Sequence, residues 1–238
     1  MSQSLTNKKT LWAGIVATAC AASNSTLHAG QPLVTDDAAI VAPYACQLEA
    51  WWHPHHDGHE YWAQPACNFT GNVEFAIGLA RAYPNDGSAS SLIHLPAKPI
   101  FFPREDGEWS FGLVASGDRD TGASHGRTAF QAFNATGLAS WYPRDDLEID
   151  LNLGVSYQYG SGTFAFAGGA IQYAVIETVQ LLGEVFHDEP GRAKFQVGVR
   201  GVVVPDRFEV YASYGNRFDA TQWFVTVGIR LQTPEFLR

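Results

Sequence analysis

The sequence predicts an all-β fold: an antiparallel transmembrane β-barrel of about twelve strands behind a cleaved N-terminal signal peptide. Three observations point there. Apolar and polar residues alternate with period two along most of the chain beyond residue 45. No run of about 20 apolar residues offers a membrane helix. Short turns tend to alternate with longer polar links between the periodic segments. Aromatic residues make up 13% and charged residues 16%, with 23 Gly, a mixture suited to aromatic-rich strands joined by turns. A soluble, secreted β-sandwich shares that composition, but it has no reason to alternate its turn lengths.

The N-terminus reads as an export signal over residues 1–29. Lys8 and Lys9 supply the positive region, Leu11 to Ala22 an apolar run too short to span a bilayer, and Ala29 a cleavage point. Residues 30–44 then form a periplasmic leader, and 45–238 the barrel. Without the two signal lysines, 13 Lys+Arg (15 − 2) face 24 Asp+Glu, a net charge of −11 (13 − 24). Such an acidic chain lacks the basic face that nucleic acid requires. An exported membrane protein without apolar helices has one spanning solution, a closed sheet, because every backbone amide in hydrocarbon must pair internally.

Taken in order, the expected strands are 45–53, 60–69, 72–83, 90–102, 108–116, 126–142, 146–158, 163–175, 178–187, 192–204, 207–215 and 222–231. The clearest is the seventh. Leu147, Ile149, Leu151, Leu153, Val155 and Tyr157 share one face, while Glu148, Asp150, Asn152, Gly154 and Ser156 share the other. Val73 to Ala80, Lys194 to Arg200 and Trp223 to Leu231 repeat the pattern. Thr70-Gly71, Arg104 to Gly107, Pro143 to Asp145, Ile176-Glu177 and Pro205-Asp206 read as tight turns. Pro54 to His59, Pro84 to Ala89, Gly117 to His125, Asp188 to Gly191 and Asn216 to Thr221 read as longer links. Both termini then share the periplasmic side. Trp51, Trp52, Tyr61, Trp62, Trp109, Trp141, Tyr142, Tyr157, Tyr159, Tyr214 and Trp223 fall near strand ends, where membrane girdles gather amphipathic rings.

Folding the first hairpin with His53 opposite His59 or Glu60 sets Cys46 opposite Cys67 and Trp51 opposite Trp62. In an oxidising compartment the cysteines are expected to form a disulfide, the alternative being two buried thiols. His53, His55, His56 and His59 crowd the hairpin tip. They form either a weak surface metal site or a solvated tip, and their spacing matches no standard site. No cofactor is expected.

If the apolar faces meet lipid, the inward groups include Glu49, Glu74, Lys98, Glu148, Asp150, Glu184, Lys194, Gln196, Arg200, Glu209 and Arg230. Both signs are present, so these groups either close the lumen as a polar network or line a small passage. Enzyme activity is not expected. His125 is followed by Gly126 and Arg127 rather than by a nucleophile, and His187-Asp188 has no nucleophile assigned.

Gln31 to Ala38, Cys46-Gln47-Leu48-Glu49, Tyr61-Trp62, Pro65 to Asn68, Gly71 to Glu74 and Thr226 to Leu231 carry a family resemblance. The chain resembles a group of proteobacterial outer-membrane barrels that is distantly similar to the outer-membrane channels of the phenol meta-cleavage pathway. The resemblance implies export, a barrel and small-molecule passage, and brings no catalytic residues. Arg238 departs from the aromatic last residue common in such barrels. The leader, Gln31 to Tyr44, is expected to cap a short helix at Thr35-Asp36-Asp37, to fold into the periplasmic mouth, or to stay flexible. Two functions remain open: a passive conduit for small, hydrophobic or aromatic solutes, and a structural or interaction barrel with a plugged lumen. The expected partners are outer-membrane lipid, the barrel assembly machinery and, for the conduit, a small solute.

Overall fold

The computed structural model describes residues 31–87, 89–104, 108–120, 130–187, 192–219 and 221–236. The expected signal peptide and its cleavage point lie outside these residues. So do the link at Asp188 to Gly191, most of the link ending at His125, and the first part of the strand expected from residue 126.

Thirteen strand segments form one sheet: β1 (Cys46–His55), β2 (Gly58–Asn68), β3 (Val73–Ala76), β4 (Gly78–Pro84), β5 (Ser90–Phe102), β6 (Trp109–Asp120), β7 (Ala132–Arg144), β8 (Leu147–Gln158), β9 (Gly162–Ile176), β10 (Val179–His187), β11 (Ala193–Val204), β12 (Phe208–Arg217) and β13 (Phe224–Gln232). Apart from β3 and β4, which do not pair with each other, consecutive strands pair antiparallel, and β1 pairs with β13, so the sheet closes. No helix among the described residues is long and apolar enough to cross a membrane. Closure removes the open edges that would otherwise expose unpaired amides.

β3 and β4 are two halves of one crossing, since both lie between β2 and β5. The barrel therefore has twelve crossings (13 − 1). The sequence reads 72–83 as unbroken, but the ladder lapses at Ile77. Continuing the registers puts Pro65 of β2 opposite Ile77 on one side and Pro96 of β5 opposite Ala76 on the other. Neither proline has an N–H to give, so two rungs are missing at one level.

The first hairpin also differs from its expected long link. β1 and β2 run to His55 and from Gly58, leaving His56-Asp57 as a tight turn. Pro54 stays within β1, opposite His59. The expected register is otherwise present: Cys46 opposite Cys67, Trp51 opposite Trp62 and His53 opposite Glu60. Cys46 and Cys67 form a disulfide. Cys46 also exchanges bonds with Thr233 beyond β13, its N–H donating to Thr233 Oγ1 at 2.9 Å. One residue thus ties β1 to both neighbours at the rim that carries the chain ends, here the terminal rim; the opposite one is the loop rim.

Burial is inverted relative to a water-soluble domain. On β8, Glu148 and Asp150 are fully buried, whereas Leu153 is 71% exposed. Leu79, Val155, Leu181, Val197 and Val227 are likewise exposed on the outer face. Carboxylates inside and Leu or Val outside minimise free energy only when the outer medium is hydrocarbon. Trp52, Tyr61, Trp109, Tyr157, Tyr159, Tyr214 and Trp223 lie on the exposed side, as a girdle requires. Trp51, Trp62 and Tyr142 do not. Tyr142 is buried, and the two indoles share the parity of inward Glu49 and Gln64.

Candidate functional site

The site is the barrel interior, and the leader occupies much of it. Residues 31–44 form no helix; they run as extended chain with turns and bends. A helix would satisfy its own amides, whereas here the wall satisfies them. Starting at the terminal rim, Val41 N–H donates to Glu74 at 3.0 Å, and Asn68 Nδ2 donates to Val41 O at 3.0 Å. Ala38 N–H donates to Ser140 Oγ at 2.8 Å, while Ser110 Oγ donates to Ala38 O. Asn152 binds Asp36 on both sides, accepting from its N–H at 2.8 Å and donating to its O at 2.7 Å. Glu184 accepts from the N–H groups of Val34 and Thr35 at 2.9 and 2.8 Å. Gln196 donates to Pro32 O, and Arg200 to Gln31 O at 3.2 Å. The leader therefore follows the inner wall from β3 past β7 and β8 to β11.

Two further contacts lock it. Lys98 Nζ lies 2.9 Å from Asp36 Oδ1 and 2.7 Å from Asp37 Oδ1. Gly168 of β9 leaves room for Thr35, because a Cβ there would stand 2.4 Å from Thr35 Oγ1. Apolar contacts complete the seating. Leu33 packs with Ala170 and Leu182, and Ala38 packs with Ile100 and Leu138.

Beneath the leader the wall groups join in a belt. Arg230 binds Glu49 at 2.8 Å and Glu209 at 3.3 Å. Arg200 lies 3.8 Å from the same Glu209 oxygen and donates to Gln172 and Gln180. Gln172 donates to Asp150 at 2.9 Å, and Ser140 donates to the other Asp150 oxygen. Of the eleven inward residues read from the sequence, Glu49, Glu74, Lys98, Glu148, Asp150, Glu184, Gln196, Arg200 and Arg230 are buried in the interior. Glu209 is partly exposed near the terminal rim. Lys194 is partly exposed near the loop rim, with Nζ 6.0 Å from the Phe186 ring.

Asn152, already placed on the polar face of its strand, holds the leader. Several participants escaped the sequence reading: Ser110, Ser140, Gln172 and Gln180 hold the leader or the belt, and all lie on the inward face of their strands. Parity would have found them. Above the leader lies a chamber of about 470 Å³, floored by Gln31 to Val34 and Asp36 and walled in part by Trp51, Trp62, Glu60 and His53. A smaller cavity of about 110 Å³ lies beside the leader, toward Glu74 and Lys98. The two share Asp36, Glu49, Gln64, His94 and Val114 in their linings, so they adjoin along the β1–β2 wall.

The hairpin-tip histidines do not converge. His53 points inward and bonds Thr226 Oγ1 at 3.0 Å, His56 pairs with Asp57, and His59 stacks on Tyr83. His55 accepts from Asp57 N–H at 3.3 Å. Among the described residues no three His, Cys, Asp or Glu side chains are grouped to hold a metal. Gly122-Ala123-Ser124-His125-Gly126 has the spacing of a nucleophile elbow, a feature the enzyme reading passed over. That chemistry needs a strand-to-helix turn. The segment falls between β6 and β7 and lies outside the described residues.

A closed antiparallel barrel with lipid-facing Leu and Val and a charged interior defines a bacterial outer-membrane β-barrel. Solved structures share the architecture. The KdgM porin matches with a TM-score of 0.64 at 13% identity, over 78% of this chain and 98% of the porin. The NanC porin matches at 0.59 and 9% identity, over 77% and 98%. The CymD monoaromatic hydrocarbon channel matches at 0.51 and 8% identity, over 84% and 91%. At these identities the likeness is one of fold. The chain belongs to the family described as "Uncharacterised conserved protein UCP029691", whose model matches residues 17–233. None of the curated proteins matches it.

Proposed function

We propose that this protein is an outer-membrane channel for small solutes, narrowed by its own N-terminal leader. The observation that carries this reading is the chamber of about 470 Å³ above the leader, which adjoins the smaller cavity beside it. The two share Glu49 and Gln64 of the β1–β2 wall, so a solute path there would pass beside the leader and the Glu49–Arg230 pair. After removal of residues 1–29, the leader enters the barrel, 45–238, from the periplasmic rim. Glu74, Lys98, Glu184, Gln196 and Arg200 hold it there, while Glu49, Glu148, Asp150, Glu209 and Arg230 brace the wall. Lys194 guards the outer mouth. Outer-membrane lipid surrounds the apolar face, the barrel assembly machinery inserts it, and no enzymatic step is involved.

The fold relatives support a solute path. One KdgM structure is described as a complex with disordered oligogalacturonate, and CymD is named as a hydrocarbon channel. The resemblance to channels of the phenol pathway points the same way. One observation favours a second reading, a closed barrel: the wall binds the leader backbone at seven of the eleven residues from Gln31 to Val41.

The test is conductance of the purified mature chain in planar bilayers, with swelling of liposomes in sized solutes. Discrete conductance and size-graded swelling are expected. Neither signal, even after the leader is loosened by Lys98→Met, would overturn the channel and leave the closed barrel.

A further inference from the structure

We propose that the chamber above the leader binds small organic cations, with the charge beside Glu60 and the apolar body on the Trp51–Trp62 pair. This deepens the channel reading by naming its solute class.

The geometry begins with register. Trp51 and Trp62 are directly opposed across β1 and β2, and their rings lie 5.4 Å apart and 3° from parallel. Both point inward and line the chamber. Gly78 of β4 lets the second indole lie against the wall, since a Cβ there would stand 3.3 Å from a Trp62 ring carbon. Indole faces carry negative quadrupole density and attract cations, most of all where water is partly excluded.

Glu60 supplies the full charge. It lies two residues before Trp62 on the same inward face, and its Oε2 accepts from Trp62 Nε1 at 2.7 Å. Glu60 has no ion-pair partner among the described residues. The chamber's other carboxylates, Asp36 and Glu49, already face Lys98 and Arg230. Among the described residues of the chamber lining there is no Lys or Arg. The field inside is therefore negative, with one carboxylate uncompensated beside an aromatic platform. A mobile anion would be repelled there, and a cation with an apolar face would be held. The volume of about 470 Å³ falls within the range of small-molecule sites. A further cavity that shares Trp62 and His94 adjoins the chamber near the loop rim, where Asp118 and Asp120 outnumber Arg119 in its lining.

The test is isothermal titration calorimetry of the full mature barrel in detergent micelles. The probes are benzyltrimethylammonium, benzoate and benzyl alcohol, which share a ring and differ in charge. The cation is expected to bind at least about tenfold more tightly than benzoate. Glu60→Gln is isosteric; it should weaken the cation about fivefold to tenfold and leave benzyl alcohol unchanged, so the alcohol also reports correct folding. Trp62→Phe should retain most cation affinity, and Trp62→Ala should lose about tenfold. Benzoate or benzyl alcohol binding as tightly as the cation would overturn the proposal, as would an unchanged cation affinity in Glu60→Gln or no binding at all. Bilayer recordings separate this claim from the channel reading. Conductance without cation binding sinks the site alone, whereas cation binding without conductance sinks the channel alone.

Discussion

Replacing Lys98 with Met strands two leader carboxylates inside the barrel. Lys98 Nζ lies 2.7 Å from Asp37 and 2.9 Å from Asp36, and the Asp37 side chain is only 1% exposed. Breaking a buried pair by removing one partner costs about 3–5 kcal/mol. Asp36 keeps 36% side-chain exposure and contributes less, so the lower figure applies. About 3 kcal/mol shifts the ratio of unseated to seated leader roughly a hundredfold. Ala38 reports that ratio well, because it is 2% exposed and clasped by Ser140 and Ser110. With Ala38→Cys as the reporter, a water-soluble maleimide should react about a hundred times faster in Lys98→Met than with Lys98 intact. Cys46 and Cys67 are joined and stay silent. A rate within about threefold, with the folded barrel's gel mobility unchanged, would refute the claim that this pair locks the leader.

Other perturbations probe the wall and the leader separately. Gly168→Val places side-chain atoms where Thr35 Oγ1 now lies, so it should also speed labelling at Ala38→Cys while leaving the outer surface unchanged. Leu153→Arg, at the centre of the lipid face of β8, should destabilise the folded barrel by about 2–4 kcal/mol in urea titrations in lipid vesicles; a neutral outcome would contradict the membrane placement. Arg230→Met leaves Glu49 buried without its guanidinium at the β1–β13 seam and should cost about 3–5 kcal/mol by the same titration. Reducing the disulfide opens a link with a sequence separation of 21 and should lower stability by about 3 kcal/mol, read as a lower urea midpoint with reductant.

Much of this architecture was legible because a barrel wall repeats one rule. Each strand needs apolar residues every second position, so Leu147 to Tyr157 or Trp223 to Leu231 declare both strand and facing. Register was legible only where a hairpin fixed it, as for Cys46 with Cys67. Girdle membership was not, because proximity to a strand end says nothing of side. Trp51 and Trp62 obey parity and turn inward, although their type suggested the membrane boundary. The break at Ile77 was hidden for a related reason. Its causes, Pro65 and Pro96, lie in neighbouring strands and act through missing donors. The leader was least legible. It has no period of its own, and its partners at Glu184 and Asn152 lie 149 and 116 residues away in sequence.

The leader and the charged wall solve each other's problem. Inward carboxylates such as Glu74 and Glu184 need donors, and a narrow lumen has little room for water to supply them. An extended segment offers unpaired N–H groups at Val34, Thr35 and Val41, and those are the groups the two carboxylates accept. The same segment needs acceptors and donors for its remaining backbone, which Ser140, Ser110 and Asn152 provide. Removing either side would leave the other buried and unsatisfied, so leader and belt hold together as one floor across the barrel. Opening that floor then requires moving a segment tied at many points rather than rotating one side chain. Any rearrangement of the interior must then move the leader as a whole, together with the Glu184, Asn152 and Ser140 contacts that hold it.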